Sequence, residues 1–280
     1  MLWNKARRST NVNDTREGKD ARKPTGLVLG AGLAFALTGA GVYTALSPTQ
    51  ETPSEQNTSR FPVPAVDPQL TFVQAVLGDT EDTWKDLFAQ KGKHYPEPTL
   101  TLFGNGVNSG CGYVGSGGGP FYCPTNKQVY LDLEFFRIMA ERYSVAGDFA
   151  QAYIIAHEVG HHVQLELGLS EPLEKALNED RPVIGDGGLE VRGELQADCL
   201  AGVWAHHAQK RHEWLEPGDI DVALNAASTF GDDYLQALRK GNVLPETFSH
   251  GTSQQRQHWF TQGFTVGAID ACDTFTAETL

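Results

Sequence analysis

The chain has 280 residues, 40% of them hydrophobic and 20% charged, which excludes wholesale disorder and suffices for one or two domains. A formal net charge of −13 excludes a broad phosphate-binding face, so nucleic acid is not an expected partner. The charge is unevenly placed: residues 1–24 carry seven bases and three acids, and residues 25–46 carry none.

That uncharged stretch, Thr25–Leu46, is 22 residues long and rich in Gly and Ala. As a helix it is long enough to cross the hydrocarbon layer. The basic segment before it is expected in the cytoplasm and the acidic bulk after it outside, by the positive-inside rule. The chain is thus expected to be a single-pass protein of the inner membrane with an extracytoplasmic, or periplasmic, domain. A cleaved signal peptide is the competing reading, with a shorter apolar core. Residues 47–66 are rich in Pro, Ser, Thr and Glu and read as a flexible linker. The folded domain is expected over 67–280.

Asp67-Pro68 reads as a helix start, with Leu70, Val73, Val76, Leu77, Trp84 and Leu87 at helical spacing. Thr99–Phe103 alternates as a strand. Residues 104–119 hold eight glycines and read as a loop with no phosphate-binding signature. Val129-Tyr130-Leu131 predicts a second strand, offered as an edge for an extended peptide. A helix over 132–143 follows. The longest clear helix spans 149–167 and stops at Gly168. Residues 171–188 read as polar and turn-rich. Helices are predicted over 190–211, from about 217, and over 252–267, where Thr252 and Gln255 form a capping box.

The 149–167 helix contains His157-Glu158-Val159-Gly160-His161, an H-E-x-x-H pattern. Histidines four apart share one helix face and converge on one ion. Neutral imidazoles suit Zn2+. Glu158 sits about 100° round the helix, where it reaches a water beside the metal. A third ligand is required. The long pattern with a third histidine six residues on fails, because Leu167 stands there. The next helix offers Glu194 and Asp198, four apart. Glu194 is the expected ligand and Asp198 the acceptor for the outer N–H of a ligating histidine, with the reverse assignment as the alternative. Small residues Ala156, Gly160, Ala197, Ala201 and Gly202 would let the two helices approach closely.

HEVGHHVQ followed by ELQADCLAGVWAHH resembles the putative neutral zinc metallopeptidase family of bacteria. Asn11-Val12-Asn13-Asp14, His250-Gly251-Thr252-Ser253, Gln255-Arg256 and Ala271-Cys272-Asp273-Thr274-Phe275 extend the resemblance over nearly the whole chain. It implies an α+β, mainly helical, zincin-like metallopeptidase domain with a small sheet, preceded by one transmembrane helix. The expected function is zinc-dependent hydrolysis of peptide bonds in a peptide or protein substrate. His157, His161 and Glu194 would hold the metal, Glu158 would act as general base, and His250 is the candidate oxyanion donor, with Tyr234 and His207 behind it. The alternative is a non-catalytic extracytoplasmic binding or assembly factor that retains a zinc site. Cys111 and Cys123 bracket the glycine-rich loop and are expected to pair. Cys199 either meets Cys272 or stays a buried thiol. The sequence sets no oligomeric state.

Overall fold

In the computed structural model, residues 1–16 and 67–280 are described. A short turn at Trp3–Lys5 leads to strand β1 (Val12–Asp14). Helix α1 (Pro68–Gln90) starts at Asp67, whose carboxylate accepts the N–H groups of Gln69 and Leu70. Strands β2 (Thr99–Phe103), β3 (Gly106–Ser109), β4 (Gly112–Gly115), β5 (Phe121–Cys123) and β6 (Gln128–Asp132) follow, then helices α2 (Leu133–Tyr143) and α3 (Asp148–Leu167). The chain continues through α4 (Glu171–Asn178), α5 (Leu189–His212), α6 (Asp219–Thr229), α7 (Asp232–Lys240) and α8 (Ser253–Val266).

The sheet has the order β1-β2-β6-β5, parallel except for β5. The expectation of an edge around 129–131 is therefore corrected. Val129, Tyr130 and Leu131 are all buried, and β6 is paired on both sides. A continuous apolar run marks an interior strand. Among the described residues β1 and β5 are the edges of this sheet, and β5 is held against α3 by His162. The Tyr122 hydroxyl lies 3.0 Å from His162 Nδ1, and His162 Nε2 is 2.6 Å from the Pro96 carbonyl. The carbonyl must accept, so Nε2 carries the proton and Nδ1 accepts from the tyrosine. The glycine-rich segment contains the β3–β4 hairpin, tied to β5 by a Cys111–Cys123 disulfide. The segment read as polar and turn-rich contains α4, which starts with a proline in its first turn and buries Leu173 and Ala176.

Helix α5 is central. It crosses α3 where a Cβ added to Gly160 would lie 3.0 Å from the Ala197 carbonyl oxygen. On its other side it meets α8 still more closely, and a Cβ on Gly263 would lie 1.9 Å from the Cys199 carbonyl oxygen. Only glycine permits that approach. Gly202 faces α8 as well, not α3. A Cys199–Cys272 disulfide fastens the C-terminal segment to α5. The α8 capping box forms as expected.

The α+β, mainly helical class with a small sheet is observed; a domain preceded by one transmembrane helix is not. Among the described residues no helix is long and apolar enough to cross a membrane. The expected span 25–46 and linker 47–66 lie outside the described residues. Their flanks, however, touch. Arg16 contacts both Asp14 and Asp67 at 2.6 Å. Residues 1–16 belong to the same body as the helices. β1 pairs with β2, Val12 opposite Leu100 through Asp14 opposite Leu102. The Ser9 hydroxyl and the Asn11 amide donate to Oε1 of Glu81, which is fully buried, at 2.6 and 2.8 Å, and Arg7 Nη2 donates to Oε2 at 2.6 Å.

Glu81 thus holds three side chains of the N-terminal segment. Glu81→Ala is expected to lower stability by about 2–4 kcal/mol, since it strands buried donors. It should also expose residues 1–16 to limited proteolysis. Unchanged stability and protease resistance would contradict this anchoring role.

Candidate metal centre

His157 and His161 project from one face of α3, one turn apart, and Glu194 projects from α5 towards them. All three are buried, and their nearest ligand atoms lie within 4.8 Å of one another. Glu194 Oε2 is 3.1 Å from His157 Nε2, and Oε1 is 3.4 Å from His161 Nε2. Two ligands on a tetrahedral zinc ion, each at about 2.0–2.1 Å, sit roughly 3.3 Å apart. The donor set and the spacing both fit zinc.

The groups behind these ligands fix their orientation. Asp198 lies one turn after Glu194, with Oδ1 2.8 Å from His157 Nδ1. The same carboxylate accepts the Tyr153 hydroxyl at 2.5 Å and two Arg256 nitrogens at 2.8 and 2.9 Å. Arg256 also donates to the Phe230 carbonyl at 3.1 Å. Behind the other ligand, Gln164 Oε1 is 2.8 Å from His161 Nδ1. Gln164 Nε2 donates to the Gly193 carbonyl at 2.7 Å and to Gln196 Oε1 at 3.0 Å. Gln196 in turn donates to the Cys272 carbonyl at 2.9 Å. The two backbone carbonyls can only accept, so each amide must present its oxygen in the direction observed. His161 therefore carries its proton on Nδ1 and turns the Nε2 lone pair to the cluster.

Electrostatics distinguish the two imidazoles. Burial opposes the charge on His157, but Asp198 and Glu194 on either side raise it to about 10. Burial lowers His161. Glu194 is held well below the usual carboxylate range by His161 and His157 despite its burial. Asp198 is likewise held down despite burial, by Arg256 and His157.

Glu158 stands apart from this network. It is 1% exposed, and its Oε1 has no hydrogen-bond partner. Burial pushes its carboxyl up to about 7. The Tyr122 backbone N–H of edge strand β5 faces it. His250 lies on the loop before α8. Asp232 accepts the backbone N–H groups of Ser249, His250 and Gly251 at 2.7, 2.6 and 3.2 Å. Burial opposes charge on the His250 ring, but Asp232, 3.4 Å from Nδ1, and the nearby Glu194 raise its pKa.

Residues 1–275 match the family model described as Putative neutral zinc metallopeptidase. The chain belongs to this family. A relative in Escherichia coli K12, the uncharacterized protein YpfJ, is 43% identical over an aligned length of 287, covering 98% of this chain and 99% of its own. The uncharacterized protein Rv2575 of Mycobacterium tuberculosis H37Rv is 42% identical over 218 residues, covering 74% of this chain and 71% of its own. No solved structure matches the chain. The description of the family names a zinc peptidase, which implies a peptide or protein as substrate.

The structure brings His157, Glu158, His161, Glu194 and Asp198 together and sets His250 within electrostatic reach of Glu194. It does not bring in Tyr234, which is 43% exposed on α7. His207 is also absent, because it lies 13 residues along α5 from Glu194, about 20 Å at helical rise. Its Nε2 bonds the Gly267 carbonyl. Sequence reasoning missed Tyr153, Gln164 and Arg256. The first two carry a signal in their spacing, four before His157 and three after His161 on the same face. Arg256 carries its place in the Gln255-Arg256 match to the family and its placement as a cation in an otherwise half-buried helix.

Zinc uptake must expel the proton that His157 holds up to about 10. Apparent zinc affinity is therefore expected to rise about tenfold per pH unit between roughly pH 6 and 9, the slope of single-proton release. Competition against a chromophoric chelator measures this, and a flat profile would contradict the site as described.

Proposed function

We propose that this protein is a zinc-dependent endopeptidase in which His157, His161 and Glu194 hold the metal and Glu158 is the general base. The observation that carries this reading is the orphaned Glu158 oxygen. A buried carboxylate oxygen without a partner is costly. Its place beside a three-ligand cluster gives it a reason to persist. A purely structural zinc site is closed by four protein ligands, which makes the binding-factor alternative the weaker one.

Zinc in this cluster would supply Lewis acidity towards a water and towards a substrate carbonyl. The protein's own groups do the rest. Glu158, poised near neutrality by burial, takes the proton of the attacking water and passes it to the leaving amine. The free edge of β5 runs beside Glu158, and an extended peptide added there would lie across the cluster. His250, oriented by Asp232, whose carboxylate favours the charged ring, is the donor for the developing oxyanion. Asp198, Tyr153 and Arg256 hold His157, and Gln164 holds His161. The two disulfides, with no free cysteine, support an oxidising, extracytoplasmic compartment. The contact between residues 1–16 and the helices supports placing both on that same side.

Two substitutions test the assignment. Glu158→Gln is expected to keep stoichiometric zinc and lose cleavage of an unfolded protein such as casein, and full activity in that variant would refute the general-base role. His250→Asn is expected to lower kcat by about 10²–10³ while KM changes little. A pure KM effect would remove it from the oxyanion role.

A further inference from the structure

A cleft of about 430 Å3 opens onto His161 and Glu194, between the end of α3, α4 and the first turns of α5. Its walls are largely hydrocarbon, from Tyr122, Leu165, Leu173 and Leu177. Gly193 keeps it open on the α5 side. A Cβ there would already lie 3.3 Å from Leu173 Cδ2, so a larger side chain would grow into the space beside Leu173.

The charges lining this cleft have one sign. Glu174, Glu190 and Glu194 line it, and among the described residues no lysine or arginine does. Glu194 belongs to the metal cluster, and Glu174 accepts the Ser170 hydroxyl at 2.6 Å. Glu190 is different. It is half-buried, one helical turn before Glu194, and its carboxylate makes no hydrogen bond or ion pair among the described residues, although His250 lies within electrostatic reach of it. The start of α5 favours an acid in its first turn. That accounts for a carboxylate there, but not for one left unpaired on the wall of an apolar cleft beside a second carboxylate.

We propose that this cleft is the subsite for a substrate residue flanking the scissile bond, and that Glu190 selects lysine or arginine there. The inference rests on the peptidase reading. A long aliphatic stem covers the leucine walls, and the cationic head meets Glu190. Leucine would bury the same walls but leave Glu190 desolvated and unpaired. Glutamate would face three carboxylates.

Blocked alanine pentapeptides with a central arginine, lysine, leucine or glutamate test this by calorimetric titration into zinc-loaded Glu158→Gln protein. The arginine and lysine peptides are expected to bind about tenfold more tightly than the leucine peptide, and the glutamate peptide not measurably. Adding Glu190→Gln should abolish that preference with zinc content unchanged, which shows that the fold is retained. Glu190→Lys should reverse it in favour of glutamate, and Gly193→Leu should weaken binding of all four. Equal affinity for arginine and leucine, a preference that survives Glu190→Gln, or no binding by any peptide overturns the proposal. Binding of the arginine peptide together with a zinc-loaded wild type that cleaves nothing would end the peptidase reading and leave the subsite standing. Cleavage without a basic preference would do the reverse.

Discussion

The constraint on which the metal centre depends is the backbone approach of α3 and α5 at Gly160 and Ala197. A Cβ on Gly160 would press on the Ala197 carbonyl at 3.0 Å. That contact sets how far apart the two helices stand one turn away, where His161 faces Glu194. Ligand atoms from two helices can share one ion only if the axes are close and do not slide. α8 locks the arrangement from behind, through the equally bare contact of Gly263 with Cys199 and the disulfide from Cys199 to Cys272.

Inside this frame the buried charges alternate in sign, from Glu194 to His157 to Asp198 to Arg256. Each would be expensive alone in a dry interior, and each is neutralised by the next. The two imidazoles end up with unlike partners. His157 leans on a carboxylate, which raises its basicity, whereas His161 leans on a neutral amide. Glu158 is the member the network leaves out. Polar groups left unsatisfied in an otherwise consistent interior concentrate where chemistry requires them.

The N-terminal segment shows what sequence reading does not reach. Its bases read as the flank of an apolar stretch because charge asymmetry about such a stretch follows a well-founded rule. Yet Arg7, Ser9 and Asn11 are spent on buried Glu81, and Arg16 on Asp67. Nothing in the spacing of residues 7–16 announces a partner more than 50 residues away. The β6 strand misled for a related reason. Its apolar run is visible, but its two neighbours are β2 and β5, and the latter, only three residues long, leaves little trace in the sequence.

The sequence by itself determined the longer helices, the caps at Asp67 and Thr252 and the H-E-x-x-H face, because periodicity, capping residues and a four-residue spacing act over one or two turns of chain, whereas the short helices α4 and α7 went unread. It also singled out Glu194 and Asp198, since two acids four apart among small apolar residues read as a buried face. Tertiary structure alone decided which acid faces both imidazoles, that Arg256 and Tyr153 close on Asp198, that Gln164 fixes the His161 tautomer, and that the first 16 residues join the domain. Those outcomes depend on the distances between helix axes and on the paths of distant segments. Such distances emerge only when backbones pack, and no local pattern encodes them.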